Sequence, residues 1–254
     1  MSLPPSEKCL RMEFSRANPN LADPVGERTL ERFRLAKDFN YWMYESIVSY
    51  CPSPCLEIGS GLGNISRHFI AKQKDICLTD LRPHYCDYLA KAFEGTRVHQ
   101  LDLVANNFDQ ENAALIGQFA SVYALNVVEH IEDDRQALEN CYKLVRKGGN
   151  LVILVPAHQF LYNSLDEALG HYKRYRKKEL IGLFEELGLN ILKVQYWNAA
   201  AMAGWWWYGR VRKQRELPAS PLKRYNQLLP IIKLLDRCLF GQIGNSVLIV
   251  GQKI

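Results

Sequence analysis

Leu56-Glu57-Ile58-Gly59-Ser60-Gly61-Leu62-Gly63-Asn64 is the stretch that decides the fold. The apolar run that ends at Ile58 reads as a buried strand, and the three glycines behind it form a sharp turn into a helix opening near Asn64. Glycine is needed where backbone must come close to a ligand, because a side chain there would block the approach.

Outward from that turn, apolar runs recur at Cys55–Ile58, Ile76–Thr79, Thr96–Leu101, Ala120–Leu125 and Asn150–Val155, separated by helix-like stretches. Repeated strand–helix alternation predicts an α/β parallel sheet with helices on both faces. Lys147-Gly148-Gly149 is expected to stop the helix before the fifth strand, glycine supplying its left-handed cap. Glu179–Leu187 reads as a further helix capped by Gly188, Asn190–Gln195 as a sixth strand and Ser246–Gly251 as the last. Residues 1–28 are proline-rich and aperiodic, an irregular arm, and Thr29–Tyr50 reads as one amphipathic helix through Phe33, Ala36, Phe39, Met43 and Ile47. The expected divisions are an arm and capping helix over 1–50, a ligand-binding core over 51–195, a lid or insertion over 196–242, and the last core strand over 243–254.

A chain of 254 residues buries a sizeable core, and 48% hydrophobic with 23% charged residues is ordinary globular composition. A net charge of +5 suits an anionic partner but is too small to argue for nucleic acid by itself. Seven scattered cysteines do not make a disulfide framework and fit a reducing compartment. Cys51-Pro52-Ser53-Pro54-Cys55 lacks a second ligand pair, so no metal is expected. With no signal-peptide pattern at the N-terminus, the expected location is cytoplasmic.

In a doubly wound sheet, ligands sit outside the carboxyl ends of strands, so polar residues there matter first. A glycine turn alone would also suit a dinucleotide pyrophosphate. The spacing here lacks the third glycine of Gly-x-Gly-x-x-Gly, and Glu57 sets a negative charge that repels pyrophosphate and suits a cationic ligand. Asp80 ends the second strand, where its carboxylate can accept both hydroxyls of a ribose; Asp102-Leu103 follows the third, where an adenine edge would lie. Each acid taken singly caps a helix or sits in solvent about as readily, but acids on three consecutive strand ends point jointly to an adenosine site.

The same stretch, with Asp80, Asp102-Leu103 and Asn126-Val127-Val128-Glu129-His130-Ile131, resembles the class I S-adenosylmethionine-dependent methyltransferase superfamily over residues 35–157. Within it, the chain resembles bacterial small-molecule members of the type 11/12-like group. The resemblance implies a Rossmann-like doubly wound seven-stranded sheet, mostly parallel with an antiparallel last strand, and S-adenosyl-L-methionine as cofactor. It also implies roles: the glycine turn faces the amino acid moiety, Asp80 the ribose and Asp102 the adenine amino group. Leu81 and Arg82 would flank the adenosine, and Asn126 would lie beneath the methionine part. Ser60, Gly63, Asn64, Leu103 and Val127 complete the expected cofactor set.

A sulfonium methyl is already activated, so the protein needs chiefly to align a nucleophile in line with sulfur and exclude water. His130 is the candidate base, following the fourth strand with a side chain that titrates near neutrality; the bland alternative is that Glu129-His130 shapes the start of the next helix. The acceptor side is expected after the fifth strand, where His158, Tyr162, Asp166, His171, Tyr172 and Arg174 crowd one stretch that resembles small-molecule methyltransferases associated with glycosyltransferases. His171 with Lys173, Arg174 and Arg176 could receive a carboxylate or phosphate, or form a solvated basic helix start. Trp205, Trp206 and Trp207 beside Arg210, Arg212 and Lys213 read either as a lid or as an interfacial patch contacting the inner membrane face. Leu228 to Phe240 would extend an apolar acceptor pocket or that patch.

The expected function is thus methyl transfer by in-line displacement to a small molecule, with an anionic, lipid-linked or sugar-linked acceptor left open. Three rivals stand beside it. A nicotinamide oxidoreductase is disfavoured by Glu57, the missing glycine and Asp102-Leu103. A nucleic-acid methyltransferase would use the basic runs at 173–178 and 210–215, but no Asn-Pro-Pro-Tyr or Asp-Pro-Pro-Tyr follows the fourth strand. A membrane-surface scaffold would bind the cofactor without turnover.

Overall fold

The computed structural model describes residues 24–254, so the expectation for residues 1–23 lies outside the described residues. The elements in chain order are α1 (Pro24–Leu35), α2 (Lys37–Ile47), β1 (Cys55–Ile58), α3 (Ser66–Ala71), β2 (Ile76–Asp80), α4 (Pro83–Ala92), β3 (Arg97–Gln100), α5 (Phe108–Glu111), β4 (Phe119–Leu125), α6 (Asp134–Leu144), β5 (Val145–Pro156), α7 (Ser164–Leu169), α8 (Lys177–Glu186), β6 (Leu189–Trp197), α9 (Ala200–Trp205), α10 (Ala219–Gln227), α11 (Leu229–Cys238) and β7 (Ser246–Lys253). A π-helical turn, Trp206–Val211, continues α9.

The seven strands form one sheet in the order β3-β2-β1-β4-β5-β7-β6. β1 pairs in parallel with β2 and β4, β2 with β3, and β4 with β5; β7 runs antiparallel between β5 and β6. Period-two side-chain alternation gives two cores. On one face Leu56, Val122, Ala124, Ile153 and Ile249 pack with Leu138, Leu144, Leu180 and Phe184 of α6 and α8. On the other, Cys55, Leu78, Tyr123, Val152 and Leu248 pack with Trp42, Ile47, Phe69, Leu89 and Ile232 of α2, α3, α4 and α11. The sheet is therefore doubly wound. Strand order reverses between β1 and β4, which puts the ligand crevice at their carboxyl ends.

Three local expectations need correction. The single helix over Thr29–Tyr50 is two: Ala36 leaves the helical region at φ −86°, ψ 61°, and the Phe33 carbonyl accepts both the Ala36 amide at 2.9 Å and Asn40 Nδ2 at 2.8 Å. Apolar spacing runs through the interruption and conceals it. The ordered helix also begins at Pro24, inside the stretch expected to be irregular. Gly148-Gly149 does not cap α6, whose chain turns extended at Val145. The pair lies inside β5 at a register shift against β4: Gly148 takes φ +74°, and a Cβ on Gly149 would sit 2.9 Å from the Ala120 carbonyl oxygen.

The insertion between β6 and β7 is helical and anchored to the core. Asn226 Oδ1 accepts the Phe39 amide at 3.0 Å, and Lys233 pairs with Glu45, both on α2. Glu216 accepts from Arg28 at 2.5 Å and Arg32 at 2.7 Å, both on α1. Among the described residues, no helix is long and apolar enough to cross a membrane.

Candidate functional site

The turn after β1 carries Gly59, Gly61 and Gly63 at φ +68°, +52° and +67°, a region L side chains resist. Space is short as well: a Cβ at Gly59 would lie 2.5 Å from Val127 Cγ2, and one at Gly63 would run into the Phe93 ring. Bare backbone is thus imposed on the crevice floor by both conformation and packing. Ser60 belongs to the scaffold, its amide donating to the Thr79 carbonyl at 2.8 Å and its hydroxyl accepting the Thr79 amide at 3.2 Å. Asn64, expected at the ligand, is buried and donates to the Leu30 carbonyl of α1 at 3.0 Å; it ties α1 over the turn, and the helix proper starts only at Ser66.

Glu57 is buried, and the Ser66 hydroxyl donates to its carboxylate. Burial pushes its carboxyl up to about 7 against that hydrogen bond. Asp80 ends β2, Oδ2 accepting the Gly61 amide at 2.9 Å and Oδ1 the Arg82 amide at 3.0 Å. Burial raises its carboxyl, opposed by those amides, and each oxygen keeps a lone pair for a hydroxyl. Leu81 next to it is 45% exposed, an uncovered apolar surface at the strand end, while Arg82 lies over the Tyr85 ring. Asp102 is exposed and accepts the Val104 amide at 2.9 Å. Leu103 departs from expectation: its side chain is buried in the core and its carbonyl is taken by Asn140. Asn126 is exposed at φ +55° just past β4, with Val127 packed under Gly59. A bare glycine floor, a buried acid with free lone pairs, an exposed leucine and an exposed acid, all at successive strand ends, fit an adenosine with an amino acid tail.

The acceptor-side residues divide into two groups. His171–Tyr175 runs across the crevice from the β4 end to the β5 end: the Tyr172 amide donates to the Glu129 carbonyl at 2.8 Å, and the Tyr175 amide to Pro156 at 2.8 Å. Lys173 and the Tyr175 hydroxyl both hold Asp134 at the start of α6, and the Tyr162 hydroxyl donates to the His171 carbonyl at 2.7 Å. This clamp sets the His171 ring edge-on to His130, centroids 4.7 Å apart. His130, then, does not cap α6; Asp133 does, accepting the Gln136 amide.

Asp166, wholly buried, organises the back of this group. It lies 2.9 Å from His171 Nδ1 and accepts Arg174 Nε at 2.8 Å, Trp205 Nε1 at 2.9 Å and the Asn163 amide at 3.0 Å. Burial pushes its carboxyl up, but the His171 and Trp205 hydrogen bonds and the Arg174 charge outweigh it and hold it below the usual range. An ionised Asp166 only accepts, so the proton of a neutral His171 sits on Nδ1 and the lone pair on Nε2. Arg174 and Lys173 are therefore spent on Asp166, Asp134 and Glu179 rather than open to an anion as expected. They border an open depression of about 530 Å³ with Gln159, Arg176 and Lys178.

His158 stands apart, at φ +66° and stacked on Tyr196; burial and the Arg174 charge lower its pKa. Tyr172 is exposed. The tryptophans also separate: Trp205 faces inward on Asp166 beneath the Arg174 guanidinium, whereas Trp206 and Trp207 are about half exposed.

One grouping escaped the sequence. A ligand atom from each of Glu129, His130 and His171 lies within 4.8 Å of the others. Glu129 is completely buried, burial pushing its carboxyl up to about 7, and neither carboxylate oxygen has a hydrogen-bond partner among the described residues. His171 comes to the other two through tertiary contact, with no local spacing to reveal it.

Residues 56–151 match the methyltransferase domain family. No curated protein matches the chain. Similar solved structures include an S-adenosylmethionine-dependent methyltransferase of Thermotoga maritima described as a possible histamine N-methyltransferase, 17% identical with a TM-score of 0.60 over 91% of this chain and 99% of that one. Another is Haemonchus contortus phosphoethanolamine N-methyltransferase 2 in complex with S-adenosyl-L-methionine, 15% identical with a TM-score of 0.57 over 87% of this chain and 56% of that one. An Archaeoglobus fulgidus methyltransferase is 16% identical, with a TM-score of 0.55 over 87% of this chain and 99% of that one.

Proposed function

We propose that this chain, whose residues 56–151 are a class I methyltransferase domain with S-adenosylmethionine as cofactor, methylates an oxygen or nitrogen atom of a small-molecule acceptor seated against His130 and His171. The observation that carries this reading is the oriented row Asp166, His171, His130 at the carboxyl end of β4, beside Asn126 and the glycine turn. The cofactor supplies an activated sulfonium methyl. For their part, Gly59, Gly61 and Gly63 give close backbone approach, Asp80 holds the ribose, Leu81 and Asp102 border the adenine, and Glu57 offers negative charge behind the turn. Asp166 holds His171 in one tautomer, and the histidine pair receives the proton of the acceptor's nucleophile as attack proceeds. Leu30 of α1 covers the turn at Gly61.

Transfer of labelled methyl from S-adenosylmethionine into fractionated small-molecule extract tests this. His130→Ala should lose turnover and keep cofactor affinity. Cofactor binding without transfer into any fraction would favour the scaffold reading.

A lipid-linked acceptor at a membrane surface is supported by the insertion. Trp206, Trp207, Ile231, Leu234, Leu235 and Phe240 are exposed there, and Arg210, Arg212, Lys213, Arg215 and Arg224 are exposed in the same insertion, a combination that suits an anionic bilayer. Vesicles of anionic lipid should retain the chain in flotation and neutral vesicles should not; Trp206→Ser with Leu234→Ser should abolish retention. Equal flotation of that variant would end this reading.

A further inference from the structure

We propose that Glu129, His130 and His171 bind one divalent transition-metal cation, and that the acceptor is an oxygen nucleophile held on that cation. The proposal rests on the methyltransferase reading for its acceptor, but the cation site stands on its own geometry.

Glu129 is the first reason. A wholly buried carboxylate is ordinarily hydrogen-bonded, paired or bound to metal, yet both of its oxygens lack a hydrogen-bond partner among the described residues. The obvious protein partner is Arg174, but its Nε goes to Asp166 and its Nη1 to the Ala157 carbonyl and Asn245 Oδ1, and its Nη2 is itself buried without a hydrogen-bond partner among the described residues. Arg174 thus acts on Glu129 through its charge, as His171 does, without a side-chain hydrogen bond to it among the described residues, and the carboxylate lies within reach of the histidine pair.

His171 is the second. Ligating histidines characteristically donate their other ring nitrogen to a carboxylate, which fixes the tautomer and raises ligand basicity. Asp166 does this to His171 Nδ1 at 2.9 Å, and is itself pinned by Arg174, Trp205 and the Asn163 amide. The three ligand atoms lie within 4.8 Å of one another, and a cation between them would draw them to bonds of about 2.1 Å.

Donor type selects the ion. Two imidazoles and one carboxylate suit Zn²⁺ and its first-row neighbours, not Ca²⁺ or Mg²⁺, which prefer all-oxygen sets. Three protein ligands leave a position open, as catalytic sites do. An acceptor hydroxyl bound there loses its proton to water, because the cation stabilises the oxyanion. That oxygen then forms the O–CH3 bond as the C–S bond breaks, the electron pair of the latter going to sulfur. With the cation bound the histidines act as ligands, which replaces the proton-accepting role given to them above.

The test uses the full chain, stripped with a chelator and titrated with Co²⁺ alone, followed by its visible d–d absorption, and with Zn²⁺ by calorimetry. One cation per chain is expected, with Glu129→Gln and His130→Ala each weakening affinity tenfold or more. Absence of saturable binding, or affinity unchanged in His130→Ala, would overturn the proposal. His130 is exposed, so His130→Ala is expected to keep the wild-type circular dichroism spectrum and to decide the matter even where Glu129→Gln does not. S-adenosylmethionine is titrated separately into the stripped protein. Cofactor binding without cation binding removes the cation site alone; cation binding without cofactor binding removes the methyltransferase reading and leaves the site.

Discussion

Oδ2 of Asp80 accepts the backbone amide of Gly61 at 2.9 Å. The side chain expected to hold a ribose is thus also a clamp on the turn beneath the amino acid moiety. Asp80→Asn puts an amide group where a carboxylate now meets two backbone donors. With charge-assisted hydrogen bonds worth about 1.5–3 kcal/mol each, affinity for S-adenosylmethionine should fall roughly 10- to 100-fold by calorimetry, and the melting temperature should drop as well. Unchanged affinity would take Asp80 out of the cofactor site.

Gly59→Ala meets two obstacles, φ +68° and a Val127 methyl 2.5 Å from the new Cβ. Left-handed backbone alone costs about 1–2 kcal/mol for an L residue. Urea unfolding should show at least that loss, and cofactor binding should fail. Adding Val127→Ala should recover only the steric share. Full recovery in the double variant would mean that backbone conformation contributes nothing.

Glu57 gives a pH dependence of definite sign. Its carboxyl is pushed by burial from the ordinary 4.5 to about 7, so between those values the native state holds a proton that the unfolded chain has released. Stability contributed by this group is full below about pH 4.5 and is lost as pH rises through 7, about 3 kcal/mol in all. Glu57→Gln should flatten that share. Urea unfolding of both proteins from pH 5 to 8 should show the wild type losing ground to the variant as pH rises; parallel curves would contradict it. A cation at the turn favours the ionised form, so cofactor affinity should rise over pH 6 to 8.

What could be read from the sequence was set by local rules. Apolar runs and glycine punctuation located the strands, and a strand's carboxyl end is defined once the strand is, so Gly59, Asp80 and Asp102 were found together. Ala36 was hidden because apolar spacing continues across the helix break. Strand-end position alone points Leu103 and Asn64 at the ligand, yet their orientation depends on packing against α6 and α1. The role of Asp166 as anchor of His171, the inward turn of Trp205 away from its two neighbours, and the meeting of His171 with Glu129 all depend on tertiary contact between segments far apart in the chain.

Glu216 fastens α1 through Arg28 and Arg32, and Leu30 of α1 covers Gly61, its Cδ1 lying 3.0 Å from where a Cβ would stand. Partly exposed ion pairs contribute under about 1 kcal/mol, so Glu216→Ala should barely move the melting temperature. It should instead raise local opening of α1, seen as several-fold faster tryptic cleavage after Arg28, Arg32 or Arg34 and a faster cofactor off-rate. Cleavage at the wild-type rate would show that the latch does not hold the helix.

Asp166→Asn tests the other end of the site. Four donors converge on this wholly buried carboxylate, and neutralising it leaves the Arg174 guanidinium charged and buried, a change that costs about 3–5 kcal/mol where one partner of a buried pair is removed. Replacing both partners with uncharged groups is far milder by the same reasoning, so Asp166→Asn with Arg174→Met should recover most of the loss in urea unfolding. Turnover should not recover with it, since His171 would still lack the acceptor that fixes its tautomer. Rescue of stability together with activity would mean that the carboxylate serves the fold alone.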